Sequence, residues 1–372
     1  MNINLADTKN SFIYFASCAI NNTVPDSDVI NNSDLMQVYS LASRHMMGAI
    51  VSMSLESAGY KDNVSRKFII RAVRKTKLMD ADMQAVLKAL EYAEIWYMPL
   101  KGSVMKDYYP NFGMREMSDR DILVDSTRVW DIKRIMESLG FSTERFGEGN
   151  HDVYYKKPLS NFEIHITLFG NSYDERIYTY YIDVKDRLIK DEGNNYGYHF
   201  SLEDFYVYMT AHEYKHYSGK GTGLRSLLDV YVFLKKFEGI LNFDYILCEV
   251  KKLGISEFEL NNRTLALNLF GNNELTDENR EMLEYIMNSG AYGTLENSVK
   301  NQLNKYGGGT PGKIKYLLTK IFPPVKNMKN TYPFFCEHKV FYPFLIIYRL
   351  LKALTIKRQQ ALLVLKILWR TK

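Results

Sequence analysis

Asp119 and Asp121 stand two residues apart in the run Asp119-Arg120-Asp121-Ile122-Leu123-Val124. The run alternates and then turns apolar, as a strand entering a core does. Strand geometry sends residues i and i+2 to one face, so both carboxylates leave together. Carboxylates held that close repel each other unless a cation lies between them. Hard divalent ions such as Mg²⁺, or Mn²⁺ in its place, take carboxylate oxygens together with substrate phosphates. Glu163 lies in a second strand-like run, Phe162-Glu163-Ile164-His165-Ile166-Thr167-Leu168, and adds a third carboxylate if that strand pairs nearby. Upstream, Ile95 to Leu100 reads as a short strand, Lys101-Gly102-Ser103 as a turn, and Val104 to Tyr109 as a helix stopped by Pro110. Free backbone N–H groups at that turn would suit a phosphate, and Lys101 and Arg115 bring cations to the same locus. These are the parts of phosphoryl or nucleotidyl transfer. Carboxylates hold two metal ions that bridge the attacking and leaving oxygens, while the Gly-Ser turn holds a triphosphate. Taken alone, an Asp-x-Asp pair also describes exposed turn acids.

The elements that must position these groups are legible from periodicity. Residues from about 11 to 95 read as helices, with apolar spacings of three and four over Asp34–Ala42 and Ser65–Leu90. Ser126 can cap a helix from Thr127 to Leu139, in which Trp130, Ile132, Ile135, Met136 and Leu139 fall at helix-like spacings and which Gly140 stops. Val153-Tyr154-Tyr155 and the Glu163 run are strands joined by a Pro-Leu-Ser-Asn turn. The fold class is therefore α+β, a small mixed-sheet core embedded in helical regions. The expected divisions are a helical region over 1–94, an α/β core over 95–185, a helical domain over 186–306 and a basic helical segment over 307–372.

The run Pro99-Leu100-Lys101-Gly102-Ser103, then Tyr109-Pro110, then Arg115 through Val124, resembles an uncharacterised bacterial nucleotidyltransferase family of the polymerase-β-like superfamily. The signature there is a Gly-Ser turn followed by Asp-x-Asp on a strand. Leu139-Gly140-Phe141, the third acid in Phe162-Glu163-Ile164-His165 and the helical flanks look similar too. The resemblance implies Gly102 and Ser103 as phosphate-binding, Asp119 and Asp121 as metal ligands, and Glu163 as a further ligand or as general base toward the acceptor. The 15 residues between Ser103 and Asp119 are slightly more than the superfamily pattern has, which a long helix-to-strand loop accommodates. The implied reaction moves a nucleoside monophosphate from an NTP, with ATP the expected donor, to an acceptor hydroxyl and releases pyrophosphate. Acceptor pockets of such enzymes come from the flanking helices, so the acceptor itself stays open. A non-catalytic nucleotide-binding module is the alternative.

A different chemistry is spelled by His212-Glu213-Tyr214-Lys215-His216, a literal HExxH. On a helix it sets two imidazoles one turn apart beside a glutamate, as zinc peptidases require. The longer peptidase pattern wants a third His where Thr222 stands, although Gly219 fits it, and Asp229 or Glu238 would have to replace that ligand. The helix offers another account: Leu202, Phe205, Met209, His212 and His216 form one inward stripe, and Asp229 on the next helix could orient an imidazole. On that account His165, His212, His216 and Asp229 belong to an acceptor pocket. His45, His151, His199 and His338 are isolated and read as structural. Gly307 to Lys313 fits GxxxxGK, but Ile314 replaces the Ser or Thr that Mg²⁺ needs, and the stretch reads as a linker.

Composition sets the outer bounds. No run of about 18 apolar residues exists, the first ten residues are polar, and Cys18, Cys248 and Cys336 stand far apart. These exclude a conventional membrane span and a disulfide framework and make the cytoplasm the expected location. The net charge of +5 hides an asymmetry: from Asn301 to Lys372 the chain carries 14 Lys and Arg against Glu337 alone, a charge of +13, so the preceding 300 residues sum to −8. Apolar runs alternate with cations from Val340 onward, without an acid. That segment could lie on an anionic membrane, at the inner face, or bind nucleic acid; it could equally be a packing helix with a solvated basic side.

Overall fold

A computed structural model of the chain describes residues 7–170, 173–323, 328, 332, 334–335, 338–355 and 357–371. Most of the polar N-terminal stretch, Cys336 and Glu337 lie outside them.

Five helices precede the sheet: α1 (Thr8–Ile20), α2 (Ser27–Asn32), α3 (Leu35–Arg44), α4 (Gly48–Ser57) and α5 (Asn63–Tyr92). Asp7, Asp26, Asp34 and Asp62 cap α1, α2, α3 and α5 by accepting from backbone N–H groups of the first turn, donors the helix itself leaves unpaired. The two N-terminal helices expected from periodicity are α3 and α5. On α5, Ala72, Met79, Met83, Val86 and Leu90 form a buried stripe along one side.

The sheet has the order β1-β2-β5-β4-β3, with β1 (Tyr97–Pro99), β2 (Arg120–Val124), β3 (Ser142–Arg145), β4 (His151–Lys156) and β5 (Ser160–His165). Only β2 and β5 run parallel; every other neighbour is antiparallel. A parallel pair needs a long crossover, here through α7 (Val129–Ser138), β3 and β4. Ile122, Val124, Tyr154, Phe162 and Ile164 pack one face of the sheet onto Met83, Val86 and Leu90 of α5 and onto Ile132 and Met136 of α7. Arg120, wholly buried on that face, pairs with Asp80 of α5. So the middle residue of Asp-x-Asp anchors the strand from behind, as the alternation of strand side chains requires.

Beyond the sheet come α8 (Glu175–Tyr180), the two-stranded β6 (Ile189–Lys190) and β7 (Tyr198–His199), then α9 (Leu202–Tyr217), α10 (Leu224–Lys236), α11 (Phe243–Leu253), α12 (Ser256–Phe270), α13 (Asp277–Ser289), α14 (Leu295–Lys305) and α15 (Gly309–Ile321). Two more helices, Tyr342–Leu354 and Arg358–Arg370, end the described chain. A second core joins α1, α3 and α4 to Leu123 and Leu168 near the other sheet face and to helices α9 to α13. Among the described residues no helix is long and apolar enough to cross a membrane.

Local differences from the sequence reading have plain causes. The helix expected over Val104–Tyr109 is a four-residue α6 (Gly102–Met105) followed by a 3₁₀ turn, Lys106–Tyr108. Asp125, not Ser126, caps the turn before α7, its Oδ1 accepting from the Thr127 N–H at 2.9 Å. β3 escaped notice because Ser142-Thr143-Glu144-Arg145 is polar, as befits an edge strand with no buried side chain.

Candidate active site

The parallel ladder sets Asp121 of β2 directly beside Glu163 of β5. Asp119 sits one residue before β2, its carboxylate reaching the same cleft. His165 follows Glu163 by two positions on β5, and His151 of β4 is its partner in the antiparallel ladder. One sheet face thus presents Asp121, Glu163, His165 and His151 together. Opposite, α9 supplies Met209, His212, Lys215 and His216, and α10 supplies Arg225 and Asp229. These groups, with Lys101, Gly102 and Arg115, enclose a cavity of about 400 Å³, a volume usual for small-molecule sites.

The turn before α6 is conformationally unusual. Lys101 has φ 45° and ψ −114°, a backbone region costly for any side-chain-bearing residue. Its ammonium lies 3.1 Å from Asp121 Oδ1, and His165 Nε2 lies 2.8 Å from the same oxygen. Burial pushes the Asp121 carboxyl up, but Lys101 and His165 outweigh it and hold the group well below the usual carboxylate range. Burial likewise works against the Lys101 ammonium, and Asp121 overrides it and raises the lysine. Asp119 moves the other way: burial, with the Asp121 and Glu163 charges beside it, pushes its carboxyl up. Burial pushes Glu163 up, but the His165 hydrogen bond together with the His151 and His165 rings beside it outweighs burial and pulls the carboxyl down.

Two features of the turn bear on its expected phosphate-binding role. The Ser103 N–H donates to Leu100 O at 3.0 Å, and the Val104 and Met105 N–H groups donate to Lys101 O, so the backbone donors expected for a phosphate are largely engaged. Ser103 is not part of the cavity wall, and its buried Oγ has no hydrogen-bond partner. Gly102 does border the cavity, and a Cβ there would meet Arg115 Nη1 at 2.3 Å. Glycine is needed at this position for the close approach of a guanidinium.

Arg115, expected to reach phosphate, makes a two-pronged pair with Asp229: Nε donates to Oδ1 at 2.7 Å and Nη2 to Oδ2 at 2.6 Å. The Tyr109 hydroxyl donates to Asp229 Oδ1 at 2.7 Å. Asp229 therefore holds Arg115 and Tyr109 and orients no imidazole. All three groups are buried, and the pair ties the loop after α6 to α10.

The HExxH segment of α9 faces this same cavity. His212 and His216 put their Nε2 atoms 3.2 Å apart. Desolvation in the cleft, with Lys101 and then His216 nearby, lowers His212 well below the ordinary range. Desolvation and Lys215 take His216 to about 4, although its outer edge is exposed. Glu213 is buried, and its Oε2 accepts from Asn262 Nδ2 of α12 at 3.0 Å. Burial pushes this carboxyl up to about 8, so at neutral pH it keeps a proton that the base of a peptidase would have to lack.

Three lining residues escaped the sequence reading: His151, Lys215 and Arg225. His151 looked isolated because its partner His165 lies across a strand pair. Lys215 was hidden inside the HExxH pattern; its Nζ lies 5.9 Å from the Phe169 ring and within electrostatic reach of Lys101, Glu163 and Asp121. Arg225 Nη1 donates to Glu116 O at 2.9 Å, a tie no local pattern shows.

A family model described as "Uncharacterised nucleotidyltransferase" matches residues 31–271. The chain belongs to that family. The matched span holds the whole five-stranded sheet, α9 to α12 and every cavity-lining residue except Ala291 and Tyr292. No curated protein and no solved structure matches the chain. The family's nucleotidyltransferase class accords with a cleft that gathers Asp119, Asp121 and Glu163 together with Lys101, Lys215 and Arg225. His151, Glu163 and His165 keep their ligand atoms within 4.8 Å of one another, a grouping able to hold a metal ion.

Proposed function

We propose that the chain transfers a nucleoside monophosphate from an NTP, with ATP the expected donor, to the hydroxyl of an acceptor. The observation that carries this reading is the pairing of Asp121 with Glu163 across a parallel ladder, with Asp119 at the same cleft. The donor set fits divalent cations such as Mg²⁺ or Mn²⁺, since Asp119, Asp121 and Glu163 bring carboxylate oxygens to one cleft, the ligands such hard ions take. Asp119, Asp121 and Glu163 would hold those ions, which when bound polarise phosphate oxygens and acidify a hydroxyl.

The protein's own groups do the rest. Lys101 and Lys215 direct ammonium groups at the cavity and offer the charge that a triphosphate needs. The Arg115–Asp229 pair fixes the loop that packs over Gly102. The acceptor hydroxyl attacks the α-phosphorus in line; the new O–P bond forms as the bond to pyrophosphate breaks. His165, His212 and His216 line the space left for the acceptor.

The test is a calorimetric titration of the metal-stripped protein with a non-hydrolysable ATP analogue, with and without Mg²⁺. Mg²⁺-dependent binding that disappears in Asp119→Asn/Asp121→Asn is the expected result. Equal binding by that double variant would show the site to be elsewhere. Binding to the unaltered chain without pyrophosphate release under any acceptor would leave a nucleotide-binding module instead of an enzyme.

A further inference from the structure

We propose that His151, His165 and Glu163, with Asp121 beside them, form a binding position for a zinc-like transition ion that discriminates against Mg²⁺. His151 Nε2 lies 3.5 Å and His165 Nε2 3.6 Å from Glu163 Oε2. Two atoms that share one tetrahedral zinc at about 2.1 Å stand about 3.4 Å apart, so these separations are those of ligands around a common ion. His165 is 4% exposed, and its Nε2, the atom that faces Glu163, also lies 2.8 Å from Asp121 Oδ1, so an ion at Nε2 would take Asp121 as a neighbour in place of that hydrogen bond. Imidazole nitrogen suits zinc and its neighbours, whereas Mg²⁺ selects oxygen and keeps its water. The ligands sit on three adjacent strands of one sheet, a rigid support.

The second imidazole pair in the cleft differs. The Nε2 atoms of His212 and His216 lie 3.2 Å apart, but the carboxyl next to them, Glu213, is turned to Asn262. One group competes with the ion on the sheet: the Arg145 guanidinium contacts His151 Nε2 and must swing aside when that nitrogen coordinates. The position shares Asp121 and Glu163 with the nucleotide site proposed above, and in that sense rests on the same cleft, yet it requires no nucleotide.

Co²⁺ added to the metal-stripped full-length protein tests it, because imidazole coordination gives the ion a visible absorption band. The expected result is one equivalent of Co²⁺, displaced by Zn²⁺ and not by a large excess of Mg²⁺. His151→Ala and His165→Ala should each weaken Co²⁺ binding by about tenfold or more, the least that disturbing such a site costs. Arg145→Ala should strengthen it. His212→Ala tests the second imidazole pair, and His199→Ala with thermal melts of every variant is the control. Loss of the band in His212→Ala with retention in His165→Ala would move the ion to α9 and overturn the proposal, as would displacement by Mg²⁺ or absence of a band. Co²⁺ binding without Mg²⁺–nucleotide binding would remove the transferase reading and leave the metal position standing.

A separate observation concerns the last two helices, and from it we infer that they dock on an anionic lipid surface. In Arg358–Arg370, Val364, Ile367 and Leu368 pack on Val299, Leu303 and Tyr316. Leu362, Leu365 and Trp369 form a second stripe that is exposed, Trp369 to 88%. Lys366 and Arg370 border that stripe on the helical wheel. Tyr342–Leu354 repeats the pattern, with Leu345 buried and Phe344, Ile347 and Leu351 exposed. Apolar stripes flanked by cations match a bilayer bearing negative headgroups, and the six Lys and Arg between Tyr342 and Arg370, with no acid among them, supply the complementarity. Nucleic acid would match the charge but leave the leucines and Trp369 in water.

The full chain should sediment with phosphatidylserine-containing vesicles and not with phosphatidylcholine alone, and high salt should release it. Trp369→Ser/Leu365→Ser should lose at least most of that binding while retaining the melting temperature. Failure to bind either vesicle, stronger competition by an oligonucleotide, or a dimer that the double variant dissolves would overturn the assignment.

Discussion

At the scale of single residues, the site depends on which carboxyls keep their protons. Asp121 is held ionised by Lys101 and His165, while Glu213 of α9 is pushed up to about 8 by burial. The sign of the second effect is definite. Unfolded, a glutamate releases its proton near 4.5; folded, Glu213 keeps it to about 8. Its contribution to stability is therefore complete below 4.5 and is lost as the pH rises through the interval to about 8. The loss amounts to about 5 kcal/mol at most. Glu213→Gln removes that dependence. The melting temperature of the variant, relative to the natural chain, should climb between pH 5 and pH 8; a constant difference would mean that Glu213 ionises normally. Asp119, Asp121 and Glu163 were legible in the sequence because their chemistry shows in residue type and alternation. The partner of Arg115 was not, since Asp229 lies 114 positions away and no local pattern joins them.

Among the elements, α10 and the loop after α6 are bound by that buried pair. Two charges out of water are tolerable only together, and removal of one leaves the other uncompensated. Asp229→Ala should cost about 3–5 kcal/mol in urea or thermal unfolding. Replacing both partners, in Arg115→Met/Asp229→Leu, should recover much of that loss, because neither charge then remains buried. A double variant as unstable as the single one would place the cost in the lost Tyr109 hydrogen bond. Sequence periodicity located α3, α5, α7 and the strands β2, β4 and β5. It missed β3 because an edge strand buries nothing, and it lengthened α6 because propensity continues where the chain must instead turn. It also read α9 as a single inward stripe. The helix in fact packs Phe205, Tyr206, Val207 and Tyr208 on several sides while showing His212, Lys215 and His216 to the cleft.

For the molecule as a whole, the cleft is walled by both the sheet and α9–α10, so a ligand bound there bridges two parts of the fold. Anything that binds only the folded state stabilises it by mass action, about 2.7 kcal/mol at a hundred times the dissociation constant. Mg²⁺ with the ATP analogue should accordingly raise the melting temperature by a few degrees, and Asp119→Asn should abolish the rise. A rise unchanged in that variant would put the nucleotide outside the cleft. Charge arithmetic made the acidic body and basic tail visible in the sequence. Which stripe of the last helix is free was not, because leucines on both sides look alike until one side is seen against Val299 and Leu303.

The parallel ladder also governs the order in which the protein can assemble. The β4–β5 hairpin closes over a few residues, but β2 meets β5 only after a loop of about 40 residues is drawn in, a slower entropic step. Asp121 and His165, 44 positions apart, are strangers until that step is complete. In a pulse-labelled refolding experiment the amides of Tyr154 and Phe162 should gain protection before those of Ile122 and Leu123. The chain then passes through its most vulnerable, half-formed stages before the mutually repelling carboxylates are ever brought together.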